Sequence, residues 1–399
     1  MVQTKSFEKN DYDVNKKIII YGASVYGELA YKGLELLNII PDYFCDRARA
    51  RQSDGYMGVP VIAPEELENY TEDIILIASA DFFYEIKDYL DDIGCKNYFN
   101  INALLHLPID RNCISSRANE MLDNRELYSG TIAEVPDKNS IHIVHMGLTV
   151  SECCTLKCRD CSFLMQYYQH PRNIDLKKYK YCVDRFLDII DKITELRPIG
   201  GEPFINPDMY KVLDWYHDCK KIGSLDVYTN GTIIPNERTL SSLKYKKVKV
   251  HISDYNVVNK ERLEKLIEVL EKENIRYSVR KYDIWSVGGN LRKRNFTQKQ
   301  KEEVFAKCFM TNCYSFLKSR FYGCPRAAHG MNMGAIPDMP YDYVDFADER
   351  RSDTELKQML LDLTKNRKTL ASCDYCDGQD NHIEGVMPAI QTLHPLQFD

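Results

Sequence analysis

The chain has 399 residues, 44% hydrophobic and 28% charged, with a formal net charge of −6 and an isoelectric point near 5.9. That balance buries sizeable cores across two or three domains and excludes a basic, nucleic-acid-binding face. The first residues contain no apolar signal-peptide core, and the longest apolar runs are strand-length, which predicts no membrane partner and a reducing, cytoplasmic setting.

The predicted elements begin with a strand over residues 17–21. Gly22-Ala23-Ser24-Val25-Tyr26-Gly27 follows, then a helical pattern through Leu29, Leu34 and Leu37. A second strand ends at Phe44-Cys45-Asp46. Residues 59–62 and 73–78 read as further strands and 82–90 as a helix. Strands alternating with helices predict a parallel, doubly wound, Rossmann-like sheet over residues 1–105. Gly22, Ser24 and Gly27 occupy a G-x-G-x-x-G position in which serine replaces the middle glycine. Such a turn can hold phosphate on helix N–H groups, and Asp46 stands where an acid meets a ribose. The competing reading is a scaffold that binds nothing or docks a partner. Residues 106–140, with Pro108 and Pro136, read as a connector carrying one short helix near 116–122.

Residues 141–300 form a second run of β/α units. Strands are expected at 141–148, 195–199, 225–228, 248–253 and 276–280, with helices between them, including one that Asp175 caps. This predicts a partial or full parallel β/α barrel. Loops at the C-terminal strand ends of such a sheet carry its chemistry. Four segments stand there: Cys154-Thr155-Leu156-Lys157-Cys158-Arg159-Asp160-Cys161, Gly200-Gly201-Glu202-Pro203, Thr229-Asn230-Gly231 and Ser253-Asp254-Tyr255. His145 and His251 read as core or barrel-lining residues, and Trp285 as a substrate platform or a loop anchor.

Fourteen cysteines are many for this length, and their grouping points to metal rather than disulfides. Cys154, Cys158 and Cys161 have C-x3-C-x2-C spacing. They can hold three corners of a [4Fe–4S] cluster and leave the fourth iron open; the spacing alone also suits zinc. Together with GGEP and TNG one and two β/α units later, the pattern resembles the radical S-adenosylmethionine (SAM) superfamily. The resemblance covers residues 141–300. It implies SAM chelated to the open iron, with Gly200 and Gly201 letting the backbone approach its amine and Glu202, before Pro203, accepting from that amine. Thr229, Asn230 and Ser253 would reach its ribose or carboxylate. Asp160 stands where the superfamily often has an aromatic residue that contacts adenine; Phe163 or Tyr167 could substitute, or adenine is held elsewhere.

Residues 301–399 hold Cys308, Cys313 and, after a predicted hairpin at 316–322, Cys324, then Cys373 and Cys376. Five thiols compete for four places. A second cluster or a four-thiolate zinc site would suit them. The order resembles the twitch or SPASM extension of radical SAM enzymes, with Ser319 replacing a glycine, and implies an auxiliary [4Fe–4S] cluster in a small α+β domain. A spare thiol, such as Cys313, is a hydrogen-atom donor or a packing residue. The ending around residues 384–391 is expected to fold back over the barrel mouth.

The N-terminal pattern looks like the small Rossmann-like domains of bacterial surface-polysaccharide enzymes, some of which bind nucleotide-activated sugars. The combined expectation is a radical SAM oxidoreductase or epimerase acting on a small carbohydrate, nucleotide-linked, with flavodoxin or ferredoxin as electron donor. A peptide or protein maturase is the alternative, and a non-catalytic iron–sulfur electron carrier the last.

Overall fold

The computed structural model describes residues 4–47, 52, 55–80, 82–123, 125–132, 140–379 and 385–398. They fall into two compact units, Met1–Lys138 and Asn139–Asp399.

In the first unit, β1 (Ile18–Tyr21), β2 (Tyr43–Cys45), β3 (Val61–Ile62), β4 (Ile74–Ile77) and β5 (Tyr98–Asn100) form a parallel sheet in the order β3-β2-β1-β4-β5. The strands are short and apolar because helices cover both faces, as a doubly wound sheet requires. Gly22 has φ +118, and a Cβ there would stand 2.6 Å from the Ala78 oxygen. A Cβ at Gly27 would stand 2.1 Å from the Gly22 oxygen. Both glycines are therefore demanded by the tight passage from β1 into the helix Val25–Leu36.

The connector expected at 106–140 is corrected by packing. Helices Ser116–Asp123 and Arg125–Ile132 belong to the first unit, and Ala118, Leu122, Tyr128 and Ile132 are buried in its core. Polar punctuation suggested a linker, but the apolar positions of two short helices find a sheet to cover. Residues 133–139 of that expected connector lie outside the described residues. Tyr128 is fully buried; its hydroxyl donates to the Ile77 oxygen at 2.6 Å and accepts from the Ile101 N–H at 3.0 Å. Tyr128→Phe leaves both backbone groups unpaired. We expect it to lower stability by about 2–3 kcal/mol in urea denaturation.

The second unit has eight strands: β6 (His142–Ser151), β7 (Lys192–Gly200), β8 (Ile222–Thr229), β9 (Val248–Asp254), β10 (Tyr277–Lys281), β11 (Cys313–Leu317), β12 (Arg320–Tyr322) and β13 (Tyr343–Asp345). They form one sheet in the order β10-β9-β8-β7-β6-β11-β12-β13. Strands β10 through β11 in that order are parallel, and β12 and β13 are antiparallel additions. The sheet is open, with β10 and β13 at its edges.

Residues 301–399 were expected to fold as a separate small domain. Cys313–Leu317, Arg320–Tyr322 and Tyr343–Asp345 of that stretch instead extend this sheet, and Phe316, Phe321 and Phe346 pack on Phe186 of the helix Leu176–Ile189. The reason is the register: β11 returns to pair with β6, the first strand of the series.

Alternation divides the sheet. Met146, Leu148, Val150, Leu196, Leu225, Val227, Val250 and Ile252 join the apolar core with residues of the covering helices. The opposite face carries His145, Glu195, Arg197, Asp226, Tyr228, His251 and Ser278.

Candidate functional site

The C-terminal ends of β6, β7, β8 and β9 bring four loops together. The loop after β6 carries Cys154, Cys158 and Cys161. Burial pushes all three thiols up, Cys158 to about 12, and each of Cys154 and Cys158 is raised further by its neighbouring cysteines. The three thiols of this loop thus share a dry setting. Bare, they keep their protons; a cation would displace them.

The sulfurs already receive donors. The Leu156 N–H and the Asn230 amide approach Cys154 Sγ at 3.4 and 3.5 Å, and the Gln391 amide approaches Cys158 Sγ at 3.3 Å. The all-sulfur set, with N–H groups aimed at two of its sulfurs, suits an iron–sulfur group; its three Sγ atoms are not gathered as tightly as a single zinc ion requires, since among the described residues only the ligand atoms of Glu195, Asp226 and His251 lie within 4.8 Å of one another.

The GGEP segment is bound to this loop. The Gly201 N–H donates to the Ser151 oxygen and the Glu202 N–H to the Cys153 oxygen, at 2.9 and 2.8 Å. A Cβ on Gly200 would stand 2.1 Å from the Ser151 oxygen; one on Gly201 would stand 2.3 Å from the Cys153 oxygen. The close approach that demands these glycines is therefore that of the cysteine loop itself.

Glu202 was expected to present its carboxylate to a ligand amine. In this structure it is fully buried, and both of its oxygens accept from groups of the protein. It accepts from the Phe204 N–H, the Asn230 N–H and the Thr229 hydroxyl. Burial pushes its carboxyl up to about 7 against those three hydrogen bonds. Glu202 fastens the β7 loop, with the buried Pro203, to the β8 loop, and so holds Thr229 and Asn230 in register with Cys154. Asn259, not singled out from sequence, ties β8 to β9: its amide donates to the Asn230 and Ser253 oxygens. Ser253 also hydrogen-bonds Tyr255, whose ring packs edge-on to Trp285 at 5.4 Å. Trp285 and Tyr255 both pack against the buried cluster of Leu156, Cys158 and Ala389.

A second thiol group lines one cavity: Cys308, Cys324, Cys373 and Cys376, with Ser162 and Gln379. Burial pushes the Cys324 thiol up, and Cys373, Cys376 and Cys308 raise it further. The Ala327 N–H points at Cys324 Sγ and the Gly378 N–H at Cys376 Sγ, each at 3.3 Å. This four-thiolate donor set suits an iron–sulfur group, its sulfurs not being gathered within the 4.8 Å of one another that a single ion would need. Ser162, beside Cys161, accepts from the Gln379 amide at 2.8 Å, so one hydrogen bond joins the two thiol groups.

Cys313 is not part of this set. It begins β11, paired with His145, and adds to the field around Arg197. Its place among the expected metal ligands is corrected by strand register, which turns it to the polar face.

On that face, Arg197 grips Glu195 through two bonds of 2.8 and 2.9 Å and reaches His145 Nδ1 at 2.7 Å. Tyr228 donates to Glu195 at 2.9 Å. His251 bridges Asp226, at 2.7 Å, and Ser278, at 2.9 Å. Burial opposes both charges of the Glu195–Arg197 pair. Their mutual attraction outweighs it, holding Glu195 well below and Arg197 well above their ordinary ranges.

Asn332 donates to the Tyr168 hydroxyl oxygen, and that hydroxyl is hydrogen-bonded to His329 Nδ1, 2.7 Å away. The Nε2 of His329 has no hydrogen-bond partner among the described residues. Burial holds the imidazole down to about 3, below its ordinary 6.5. The folded state therefore binds fewer protons, and the neutral ring's contribution is whole above pH 6.5 and drains as pH falls toward 3. Urea denaturation at pH 7 and pH 4.5 should show a fall that is smaller by a few kcal/mol in His329→Gln. An equal fall would count against it.

In the first unit, the predicted nucleotide residues meet at one turn. The Ala23 N–H donates to Asp46 Oδ2 at 2.9 Å, and Ser24 begins the helix without capping it by its side chain.

A family described as C2185-like, N-terminal, matches residues 14–100. No curated protein matches. Among solved structures, Streptococcus suis SuiB bound to S-adenosylmethionine is 19% identical over 44% of this chain and 41% of its own, at a TM-score of 0.28. The structure of anSMEcpe with bound AdoMet is 13% identical over 65% of this chain and 93% of that one, TM-score 0.38. BtrN in complex with AdoMet and 2-DOIA is 10% identical over 62% and 100%, TM-score 0.34. The chain thus spans under half of SuiB, and these are partial likenesses of low overall superposition. No helix among the described residues is long and apolar enough to cross a membrane.

Proposed function

We propose that this chain is a radical SAM enzyme that oxidises or epimerises a small, polar, carbohydrate-type substrate. The carrying observation is the meeting of Cys154, Cys158 and Cys161 with GGEP and TNG at adjacent C-terminal strand ends, braced by Glu202. When bound there, a [4Fe–4S] cluster supplies the electron that splits SAM into methionine and a 5′-deoxyadenosyl radical. The chain's own residues bind and aim. Gly200 and Gly201 bring the β7 end against the cysteine loop, Glu202 and Asn259 lock the β8 and β9 loops, and Tyr255 and Trp285 cover its flank. Cys308, Cys324, Cys373 and Cys376 would hold a second [4Fe–4S] cluster.

The carbohydrate reading is supported by the polar sheet face. Its carboxylates, imidazoles, Arg197 and Tyr228 offer both donors and acceptors, the partners a polyhydroxylated molecule needs. On an oxidation route, once the hydrogen atom has left the carbinol carbon for the 5′-deoxyadenosyl radical, His251, beside Asp226, would take the hydroxyl proton, and the remaining electron would pass to the group that Cys308, Cys324, Cys373 and Cys376 would hold. On an epimerisation route, Cys313 stands on the same face as the hydrogen-atom donor. In the first unit, taken by itself, Gly22, Ser24, Gly27 and Asp46 form the turn at which a nucleotide would bind.

Anaerobic reconstitution should yield about eight iron and eight sulfide per chain. With SAM and reduced flavodoxin, ferredoxin or dithionite, it should yield 5′-deoxyadenosine. Deuterated nucleotide-sugars should pass deuterium into that product; transfer from a peptide alone would establish the maturase reading instead. Zinc at either site in place of iron would defeat the corresponding cluster assignment.

A further inference from the structure

The tail of the chain is strapped across the cysteine loop. Val386 exchanges both backbone hydrogen bonds with Trp285. The Arg159 N–H donates to the Ile390 oxygen at 2.7 Å, the Thr392 N–H to the Lys157 oxygen at 2.8 Å, and the Leu396 N–H to the Gln166 oxygen at 2.7 Å. Ala389 is buried against Leu156 and Cys158 and is held at φ +55, a conformation that costs a side-chain-bearing residue about 1–2 kcal/mol. At the centre, Gln391 accepts from the Lys157 N–H at 2.7 Å through its amide oxygen, while its amide nitrogen donates to Cys158 Sγ at 3.3 Å. One side chain thus reads the loop backbone and one thiol together, and Cys158 beneath it is only 6% exposed.

We propose that residues 385–396 act as a strap on the cysteine loop and that Gln391 is its positioning residue, shielding Cys158 and setting the electron affinity of the group held there. This rests on the proposed function, in which Cys158 binds iron. A hydrogen bond to a cluster sulfur stabilises the more reduced, more negative state, so its loss makes reduction harder.

The informative pair of variants is Gln391→Glu and Gln391→Leu. Glutamate keeps the oxygen that accepts from Lys157 but has no N–H for the sulfur; leucine loses both. The readout is the midpoint potential of the electron-paramagnetic-resonance signal that changes when SAM is added, which marks this cluster rather than the second. Both variants should show a potential more negative than wild type. Glutamate's negative charge would lower the potential by itself, so the neutral leucine variant decides, and an unmoved potential in loaded Gln391→Leu would overturn the proposal. Wild-type chain that binds no iron at Cys154–Cys161 overturns the proposed function with it; loaded chain with an unmoved potential overturns the strap's tuning alone. If a variant does not load, alkylation of the metal-free chain decides, read by mass spectrometry. Cys158 labelled several-fold faster than in wild type supports the contact, and equal labelling refutes it.

Discussion

Cys308→Ala removes about four of the eight irons, while Cys313→Ala removes none. Sequence alone leaves the two thiols as rivals for one place. Cys308 ends the helix Gln298–Lys307 and opens onto the cavity that Cys324, Cys373 and Cys376 line. Cys313 is held in a parallel ladder beside His145, and moving it into the cavity would break β11 from β6. The measurement is iron and sulfide per chain after anaerobic reconstitution, with circular dichroism to verify folding. Cys324→Ala should match Cys308→Ala in iron. It should also cost stability, because Cys324 Sγ caps the helix Pro325–Asn332 through the Ala327 N–H; a lost cap costs about 1 kcal/mol. Equal iron in Cys308→Ala and wild type would show that the four thiols do not form a cluster site.

The larger effect is on turnover. Replacing Cys154, Cys158 and Cys161 together by alanine abolishes 5′-deoxyadenosine formation and leaves about four irons, those of the second site. The loop itself should survive. Its backbone is held by Ser151, Gly201, Glu202 and Arg172 through main-chain hydrogen bonds that alanine leaves intact. Loss of sulfur therefore separates from loss of fold, and retained SAM cleavage by this variant would end the radical reading. Glu202→Gln makes a graded companion. It keeps the shape but offers only one carbonyl oxygen to the Phe204, Thr229 and Asn230 donors, so SAM binding should weaken while iron is retained.

Much of this site was legible in one dimension. The thiol spacing, the glycine pair, TNG and their positions at successive strand ends are local patterns. A strand followed by a glycine turn and a helix declares itself through periodicity and backbone freedom alone. The polar face was half-legible. His145 and His251 fell in strand patterns and read as lining residues, but Glu195, Arg197 and Asp226 become one network only when β6, β7 and β8 take up their register. The linker reading of 106–140 failed because Tyr128 gains meaning only from Ile77 and Ile101, on elements distant in sequence.

By itself, then, the sequence of this protein determined the order of its β/α units, the loops that carry the sulfur ligands and the glycines that let those loops approach. Those are consequences of short-range sterics and side-chain chemistry. Only the tertiary structure decided that Cys308 rather than Cys313 joins the second group, that Glu202 is buried, and that Gln391 lies on Cys158. Each of these depends on which distant strands pair and which segment closes over the loop. Contacts made across 233 residues, as between Cys158 and Gln391, leave no period or spacing to read.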